Sequence, residues 1–241
     1  MSLKIAIPSK ARPWKSNSKE LLQSAVLFVP ESEKDLYFKV YKEIEPVPNN
    51  IKGITQTRNY ILNFFKGQEV VMCDDDLENV GYWTNKTDGG RRQEKIKEES
   101  ILIYEFQKYF ELCEELKYKI WGLKTEASKI AQHDEKPIDF RSYVTASMMG
   151  IIADGSYLFN ENYLLKEDYE ICLRHIRNEG GILKINYIYW QNKHWDKNGG
   201  CGDYRNDQME KKMISMLIKD YPGMIKQVNR KNSQYCIRLM L

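Results

Sequence analysis

The stretch "EVVMCDDDLENV", from Glu69 to Val80, joins an apolar run directly to three consecutive aspartates. A short apolar run bounded by charged residues is typical of a buried strand. In an open α/β sheet, ligands bind beyond the carboxyl ends of the strands. Three adjacent carboxylates also repel one another unless a positive group lies between them. The stretch therefore predicts a buried strand that carries an acidic cluster to a binding edge.

The segments before this strand alternate between strand and helix patterns. "LKIAIPSK" and "SAVLFVP" are predicted strands, and "EIEPVP" is at most a short edge strand because it contains two prolines. "SEKDLYFKVYKEI" and "GITQTRNYILNFFKG" are predicted helices. Strands that alternate with helices indicate an α/β fold with a mostly parallel central sheet flanked by helices.

The second half continues the same alternation. A polar stretch with a Gly-Gly pair, Trp83–Lys95, is expected to be a mobile loop. The remaining predictions are helices from about Glu94 to Lys119, over Lys166–Gly181 and from Asp203 to about Tyr221, with strands at "KIWGLKT", "VTASMMGIIADG" and "ILKINYIYW". No repeat, heptad array or linker interrupts the pattern, so residues 1–241 are interpreted as a single domain.

Composition narrows the class of protein only modestly. The 241 residues carry a formal net charge of +3, which neither establishes nor excludes a nucleic-acid partner. Cys73, Cys113 and Cys172 lie in apolar patterns and are expected to be reduced core thiols, which favours a cytoplasmic location. No apolar run approaches the length of a membrane span, and no signal peptide precedes the first strand.

The aspartate cluster is a candidate site for a hard cation. Strand alternation gives Asp74 and Asp76 the same facing and turns Asp75 to the other side. Mg²⁺ and Mn²⁺ accept one or two carboxylates and take further ligands from phosphate oxygens and water. The alternative is a solvated acidic turn that caps the next element.

A second acidic pair, Glu167 and Asp168, begins a predicted helix. Acidic residues at a helix start complement the helix dipole, and this structural role alone would explain the presence of the pair. The other is a general base, a carboxylate that removes the proton of an acceptor hydroxyl. The same helix carries Arg174, His175 and Arg177, which could bind phosphate or lie on a solvated face.

Three further positions could complete a site. His194 precedes a glycine-rich stretch and is either structural or an additional ligand for Mn²⁺. Arg58 lies among apolar neighbours in a predicted helix, so it needs a partner: a phosphate, one of the aspartates or an ordinary salt bridge. Ser9, Lys10 and Arg12 form a polar, basic turn after the first strand.

Together these pieces resemble a GT-A glycosyltransferase, in which an acidic motif at a strand end holds a divalent ion against a nucleotide diphosphate. The matching residues are Asp74–Asp76 and the pair Glu167 and Asp168. The resemblance implies a GT-A-like domain with a nucleotide-sugar-binding half at about 1–120 and an acceptor half at about 121–241. It also implies Mn²⁺ or Mg²⁺ as the cofactor and a nucleotide-sugar, expected to be a UDP-sugar, as the donor.

More narrowly, the chain resembles the TET/JBP-associated glycosyltransferases of phages and some eukaryotes. The motifs are "IPSKAR", "GITQTRNYIL", "VVMCDDD", "LLKEDYEICLRHIRNEGG" and "KHWDKNGG", in that order, and they cover most of Leu3–Gly202. The family is linked to glycosylation of hydroxymethylated pyrimidines in DNA. The resemblance therefore implies a DNA-modifying transferase in the cytoplasm, or in the host cytoplasm if it is phage-encoded, with no membrane partner.

The resemblance assigns roles to individual residues. Asp168 would be the catalytic base, with Glu167 beside it. The metal would be bound by Asp76, with Asp74 and His194 as further contacts. The donor nucleotide would be bordered by Pro8, Ser9, Lys10, Arg12, Arg58, Asp74 and Asp75.

A single carboxylate base without a second nucleophile predicts inversion at the sugar carbon. Two other classes of function remain open from the sequence. A non-catalytic nucleotide- or DNA-binding module would use the basic stretch "GGRRQEKIK" and the many aromatic residues. A nucleotidyltransferase also places paired acids and Mg²⁺ beside a sheet. A small molecule, a glycan or a protein likewise remains open as the acceptor.

Overall fold

In the computed structural model, the described part of the chain comprises residues 1–14, 16–85, 91–125, 136–192, 205–230 and 233–240. Its helices are α1 (Asn17–Leu21), α2 (Lys34–Tyr37), α3 (Gly53–Phe64), α4 (Glu99–Leu116), α5 (Glu167–Glu179) and α6 (Asp207–Asp220). Its strands are β1 (Leu3–Pro8), β2 (Val26–Pro30), β3 (Ile44–Val47), β4 (Glu69–Cys73), β5 (Leu77–Asn85), β6 (Arg91–Lys95), β7 (Ile120–Thr125), β8 (Ile138–Asp139), β9 (Met148–Ile152), β10 (Leu183–Asn192), β11 (Ile225–Arg230) and β12 (Ser233–Leu239).

Ten of these strands form one twisted sheet. Its order is β3-β2-β1-β4-β9-β7-β10-β5-β6, with β8 paired to β10 beside this path. β3, β2, β1 and β4 are mutually parallel, and β7 and β10 form another parallel pair. Only β9, β5 and β8 run against the common direction. The predicted α/β fold with a mostly parallel sheet is therefore confirmed.

Helices cover both faces of the sheet. The apolar side of α4 packs on one face, where Phe106 and Phe110 contact the ring of Trp121. α3 and α5 pack on the other face through residues such as Ile61 and Ile176. α6 and the β11–β12 hairpin form a third cluster on the outer side of α5. The sheet is thus buried on both sides, which explains its nearly continuous apolar strands.

β4 shows how the sequence positions the acidic cluster. Val71 and Cys73 face the α4 side of the sheet, while Val70 and Met72 face the α3 side. β1 lies beside β4 and is parallel to it, with Ala6 opposite Met72. The turns that follow both strands therefore lie at the same edge of the sheet.

Two predictions about local structure need correction. Within Trp83–Lys95, residues 83–85 and 91–95 are strand residues and not a loop, because Gly81 to Asn85 pair antiparallel with Arg91 to Lys95, while residues 86–90 lie outside the described residues. Tyr82, Trp83 and Thr84 are residue types that favour strands, which allows this pairing despite the polar character of the stretch. The helix expected over "SEKDLYFKVYKEI" shrinks to a 3₁₀ turn and α2, because its C-terminal residues leave the helix to reach β3.

The other predicted helices are shorter than the patterns suggested, and α4 begins only at Glu99. The β11–β12 hairpin was not predicted. Cys73, Cys113 and Cys172 are buried free thiols, as expected. No helix in the described part of the chain has the length and apolar character needed to cross a membrane.

Candidate active site

Asp75 is the innermost carboxylate of the acidic cluster. It accepts hydrogen bonds from the Ser9 hydroxyl at 2.6 Å and from the Arg12 guanidinium at 2.6 Å. Tyr37 donates to the Ser9 oxygen at 2.8 Å and accepts from the Arg12 backbone N–H at 3.1 Å. Only 8% of the Asp75 side chain is exposed. The turn after β1 is therefore joined to the turn after β4 through this one carboxylate.

Asp74 and Asp76 are more open, with 31% and 30% of their side chains exposed. The three aspartates lie in the turn after β4, where the strand alternation that predicted their facing no longer applies. Asp76 lies near Arg12 like Asp75, while Asp74 pairs with Arg58. Ser18 holds the turn in shape, because its hydroxyl donates to the Asp74 carbonyl and accepts from the Leu77 backbone N–H. The buried Ser18 at the start of α1 is thus a support for the acidic turn.

The carboxyl group of Asp76 has a strongly raised pKa. Burial first, and then repulsion from Asp74 and Asp75, raises its pKa to about 6, although Arg12 lies 3.6 Å away. Its Oδ1 atom is buried without a hydrogen-bond partner in the described part of the chain. A buried, unpaired carboxylate oxygen calls for a donor or a cation. Asp76 therefore has the properties expected of a cation ligand.

The polar residues of α3 fasten the segment that leads to α5. Thr55 donates to the Tyr163 carbonyl at 3.0 Å. Asn59 donates to the Phe159 carbonyl at 2.9 Å and accepts from the Phe159 backbone N–H at 2.8 Å. The "TQTRN" stretch thus holds a part of the chain about a hundred residues away.

Arg58 occupies the centre of this arrangement. Its side chain is 5% exposed and forms ion pairs with Asp74 at 3.2 Å and, at shorter range, with Glu167. It also donates to the Ala146 carbonyl at 3.3 Å. One buried guanidinium therefore joins the acidic turn after β4 to the first residue of α5. Of the partners considered for Arg58, the structure supplies an aspartate and a glutamate.

Asp168 follows Glu167 in the first turn of α5 and is partly buried. Burial and then the Glu167 charge raise the pKa of Asp168 to about 7, and the Arg58 charge opposes them. The Asp168 carboxylate accepts the Tyr169 backbone N–H at 2.9 Å. A carboxyl group with a pKa near neutrality can exchange protons at physiological pH.

A pair of stacked tyrosines lies next to this carboxylate. The rings of Tyr143 and Tyr169 are parallel within 9°, with centroids 4.0 Å apart. Burial and then the Asp168 charge raise the pKa of both hydroxyls. The stacked pair thus provides an aromatic surface beside Asp168. No sequence pattern indicated this pair, because Tyr143 and Tyr169 come from different segments.

The other predicted residues are placed as follows. Pro8 ends β1, and Lys10 lies in the exposed turn that follows. His194 falls outside the described residues. Ser18 and Tyr37 were missed, although a short polar segment facing a buried acidic cluster was a possible signal.

His175 is structural, and it does not bind phosphate. It is fully buried, accepts the Lys119 backbone N–H through Nε2 at 2.9 Å and donates through Nδ1 to the Gly181 carbonyl at 2.6 Å. Burial also lowers the pKa of its imidazole, which keeps the ring neutral. Arg174 forms an ion pair with Glu170 at 3.0 Å.

Within the described ranges, no three His, Cys, Asp or Glu side chains converge as a ready metal site. The Asp74 and Asp76 carboxylates can supply two ligands. Mg²⁺ and Mn²⁺ commonly take only one or two carboxylates from the protein and the rest from phosphate and water. The residues present therefore fit a cation that binds together with a phosphorylated ligand.

Residues 3–200 match the protein family described as TET-Associated Glycosyltransferase. The chain belongs to this family. The protein is thus an enzyme of the glycosyltransferase class, as the motifs predicted. No curated protein sequence matches the chain.

Solved structures share the fold of this glycosyltransferase at low sequence identity. S. aureus TarS 1-349 in complex with UDP-GlcNAc is 10% identical with a TM-score of 0.50, over 90% of this chain and 67% of that one. Glucosyl-3-phosphoglycerate synthase from Mycobacterium tuberculosis, in complex with Mn²⁺, UDP and phosphoglyceric acid, is 10% identical with a TM-score of 0.52, over 99% and 86%. The fold is that of the GT-A glycosyltransferases.

Proposed function

We propose that this protein transfers a sugar from a nucleotide-sugar donor, expected to be a UDP-sugar, to a hydroxyl group of hydroxymethylated pyrimidine in DNA. The family assignment supports glycosyl transfer. The similar solved structures contain UDP-GlcNAc or UDP with Mn²⁺, which supports the donor class and the use of a divalent cation. The association with TET in the family name supports the acceptor.

The contact that carries the proposal is the bridge through Arg58. It connects Asp74 at the end of β4 to Glu167 at the start of α5, and Arg58 and Glu167 are 109 residues apart in the sequence. Two acidic clusters that could each be a simple turn or helix cap are thereby held side by side. A donor bound at the first cluster and a hydroxyl activated at the second would then meet.

In this proposal Asp76 and Asp74 hold Mn²⁺ or Mg²⁺. The unpaired Asp76 oxygen and the raised pKa of that carboxyl support the choice, because a cation would relieve the repulsion among the three aspartates. When bound, the cation would stabilise the negative charge that develops on the leaving diphosphate. Ser9, Arg12 and Asp75 would form the wall of the donor site in the half comprising residues 1–120. Pro8 and Lys10 would border the nucleotide, and His194 stays a proposed additional ligand.

Asp168 acts as the general base in this proposal. Its pKa of about 7 suits a group that must be a carboxylate before the reaction and accept a proton during it. Glu167 is tied to Arg58, so its charge positions α5 and keeps Asp168 basic. The acceptor oxygen forms the new bond to the sugar carbon as the bond to the diphosphate breaks. One direct displacement inverts the configuration at that carbon.

A screen of nucleotide-sugars by thermal shift, with and without Mn²⁺, tests the donor and the cation. A ligand that binds the native state raises the melting temperature by mass action, so the true donor should give a shift that requires the metal. The donor so found is then incubated with DNA carrying 5-hydroxymethylcytosine or 5-hydroxymethyluracil. A labelled sugar on the DNA with inverted configuration supports the proposal. Transfer to glycans or proteins alone would overturn the acceptor, and retention would overturn the mechanism.

A further inference from the structure

The positive charge of the chain is concentrated at its C-terminal end. Residues 221–241 contain four basic residues, at positions 226, 230, 231 and 238, and no acidic one. The other 33 of the 37 Lys and Arg residues, and all 34 acidic residues, lie before position 221. Residues 1–220 therefore carry a formal charge of −1 while the last 21 residues carry +4. The family match ends at residue 200, so this segment lies outside it.

This basic segment forms the β11–β12 hairpin. Lys226 and Arg238 lie directly opposite each other in the antiparallel register, and both are exposed. Ile225, Ile237 and Leu239 alternate with them and pack toward α6 and α5. The hairpin therefore has one apolar face fixed to the protein and one face that presents two neighbouring cations.

Like charges directly opposite on a strand pair destabilise the pair. Neither Lys226 nor Arg238 has an ion-pair partner among the residues that the structure describes. Neutral residues at these positions would form a more stable hairpin. An arrangement that costs stability in the free protein is accounted for if an anion binds between the two cations.

The hairpin lies next to the candidate active site. The Tyr169 side chain packs against the same apolar cluster as Ile237 and Leu239 of β12. Tyr169 is stacked on Tyr143 beside Asp168. The hairpin that carries the two cations thus packs beside the stacked tyrosines and the proposed base.

We propose that the face of the β11–β12 hairpin bearing Lys226 and Arg238 binds backbone phosphates of the DNA acceptor. This inference rests on the proposed function and names a surface for its acceptor. Phosphates occur at regular, short intervals along a DNA strand, so one strand can offer anions to both cations. Aromatic side chains next to a basic surface are the usual combination for binding a displaced or single-stranded base. The two cations would also attract an anionic membrane, but a membrane would give the stacked tyrosines no role in binding.

The test compares two double substitutions that change the net charge equally. K226Q/R238Q removes the cations of the hairpin, and K39Q/K42Q removes two exposed lysines near β3, at the far edge of the sheet. DNA binding is measured by fluorescence anisotropy over a range of salt concentrations, without donor. Binding of the donor, and transfer to free 5-hydroxymethyl-nucleoside, are measured in parallel. Vesicles containing phosphatidylserine provide an anionic membrane for comparison.

K226Q/R238Q should weaken DNA binding by on the order of tenfold and reduce the slope of log Kd against log salt by about 2, one unit per lost phosphate contact. Its donor binding and nucleoside transfer should equal those of the wild type, and K39Q/K42Q should bind DNA normally. Equal losses in both variants, or no loss in K226Q/R238Q, would overturn the inference. So would a loss confined to the vesicles.

The same data separate this inference from the proposed function. If the wild-type protein glycosylates DNA and K226Q/R238Q binds DNA normally, the proposed function is supported and the role of the hairpin is overturned. If the wild-type protein binds DNA through the hairpin but transfers no sugar to DNA, the binding surface is supported and the proposed acceptor is overturned. Wild-type protein that does not bind DNA overturns both. The melting temperature of K226Q/R238Q, expected to be unchanged or higher, excludes unfolding as the cause.

Discussion

The two acidic clusters of the site are built on the same plan. In each, one carboxylate is held by a buried or half-buried arginine, Asp75 by Arg12 and Glu167 by Arg58. In each, the next residue along the chain, Asp76 or Asp168, keeps a carboxyl group with a strongly raised pKa. The arginine-bound acid fixes the position of the pair, and its neighbour is left available for chemistry.

The clusters differ in what raises the second pKa and in how far the arginine reaches. Beyond burial, two like charges raise the pKa of Asp76 and Arg12 opposes them, whereas one acidic neighbour raises the pKa of Asp168 and Arg58 opposes it. Arg12 links the turns after β1 and β4, and Arg58 joins the turn after β4 to the start of α5. A crowded aspartate suits a cation ligand, and a carboxyl near neutrality suits a base. This difference supports the proposed roles of a donor cluster after β4 and an acceptor cluster at the start of α5.

The largest effect on stability is expected at Arg58. Arg58→Met removes one partner of a buried ion pair and leaves Glu167 uncompensated, so the free energy of unfolding should fall by roughly 3–5 kcal/mol. Chemical denaturation measures the loss. Adding Glu167→Gln should restore part of the stability, because the unpaired charge is then gone. Arg12→Met, at a more exposed pair, should cost less, and equal losses at the two arginines would contradict the difference drawn between the clusters.

Asp75 and Asp76 should respond in opposite ways. Asp75→Asn weakens the charge-assisted hydrogen bonds from Ser9 and Arg12 and should lower the free energy of unfolding by about 1.5–3 kcal/mol. Asp76→Asn should leave stability equal or improved at pH 7, because it removes a crowded buried charge, but should abolish the Mn²⁺-dependent part of donor binding. Calorimetric unfolding and donor titration with and without Mn²⁺ measure both. Unchanged donor binding by Asp76→Asn would remove Asp76 as a cation ligand.

Ser18 should support the donor cluster without touching the donor. Ser18→Ala leaves the buried Leu77 N–H without its acceptor and should lower the free energy of unfolding by about 1–2 kcal/mol. The turn that carries the aspartates should loosen, so donor affinity is expected to fall modestly while the maximal rate changes little. Ser16 caps α1 through the Lys19 N–H and lies outside the turn, so Ser16→Ala is a matched control. Equal losses of donor affinity in both variants would contradict a specific role for Ser18.

The pH dependence of kcat/KM should be the smallest of these effects. Because Asp168 has a pKa of about 7 and acts as a carboxylate, kcat/KM should rise about tenfold per pH unit below pH 7 and level off above it. Arg58→Lys keeps the positive charge, so its acidic limb should stay in place. Arg58→Met, where it folds, should move that limb to higher pH. A profile that is flat between pH 5.5 and 7.5 would contradict the assignment.

The raised pKa also affects folding. The folded state disfavours the charged form of Asp168, so the stability that this group contributes is greatest at low pH and is lost as the pH rises from its usual pKa of 3.8 to about 7. Asp168→Asn removes that loss. The variant is therefore expected to unfold at an equal or higher temperature than the wild type at pH 7.

The sequence predicted the parts of this site that follow from local pattern. An apolar strand ending in "DDD" and a helix beginning with "KED" were recognisable because alternation and capping depend on near neighbours. The helix that contains Arg58 was also recognisable, but the residues that pair with Arg58 were not. Glu167 lies 109 residues away, and only the packing of α3 and α5 on one face of the sheet brings the two together.

Other features depended on tertiary context that no local pattern carries. The Trp83–Lys95 stretch is polar and was interpreted as a loop, yet β5 pairs on one side with β10 and on the other with β6. The stack of Tyr143 on Tyr169 joins a loop residue to a helix residue. The apolar face of the β11–β12 hairpin is buried only because α6 and α5 pack against it.

Replacement of Asp168 tests whether this carboxylate is the general base. Asp168→Asn keeps the size of the side chain and removes the base, and Glu167→Gln is measured beside it. We expect Asp168→Asn to bind the nucleotide-sugar with Mn²⁺ as tightly as the wild type and to transfer sugar roughly 10²–10⁴-fold more slowly in a single turnover. Transfer by Asp168→Asn within tenfold of the wild-type rate, with binding intact, would contradict this role.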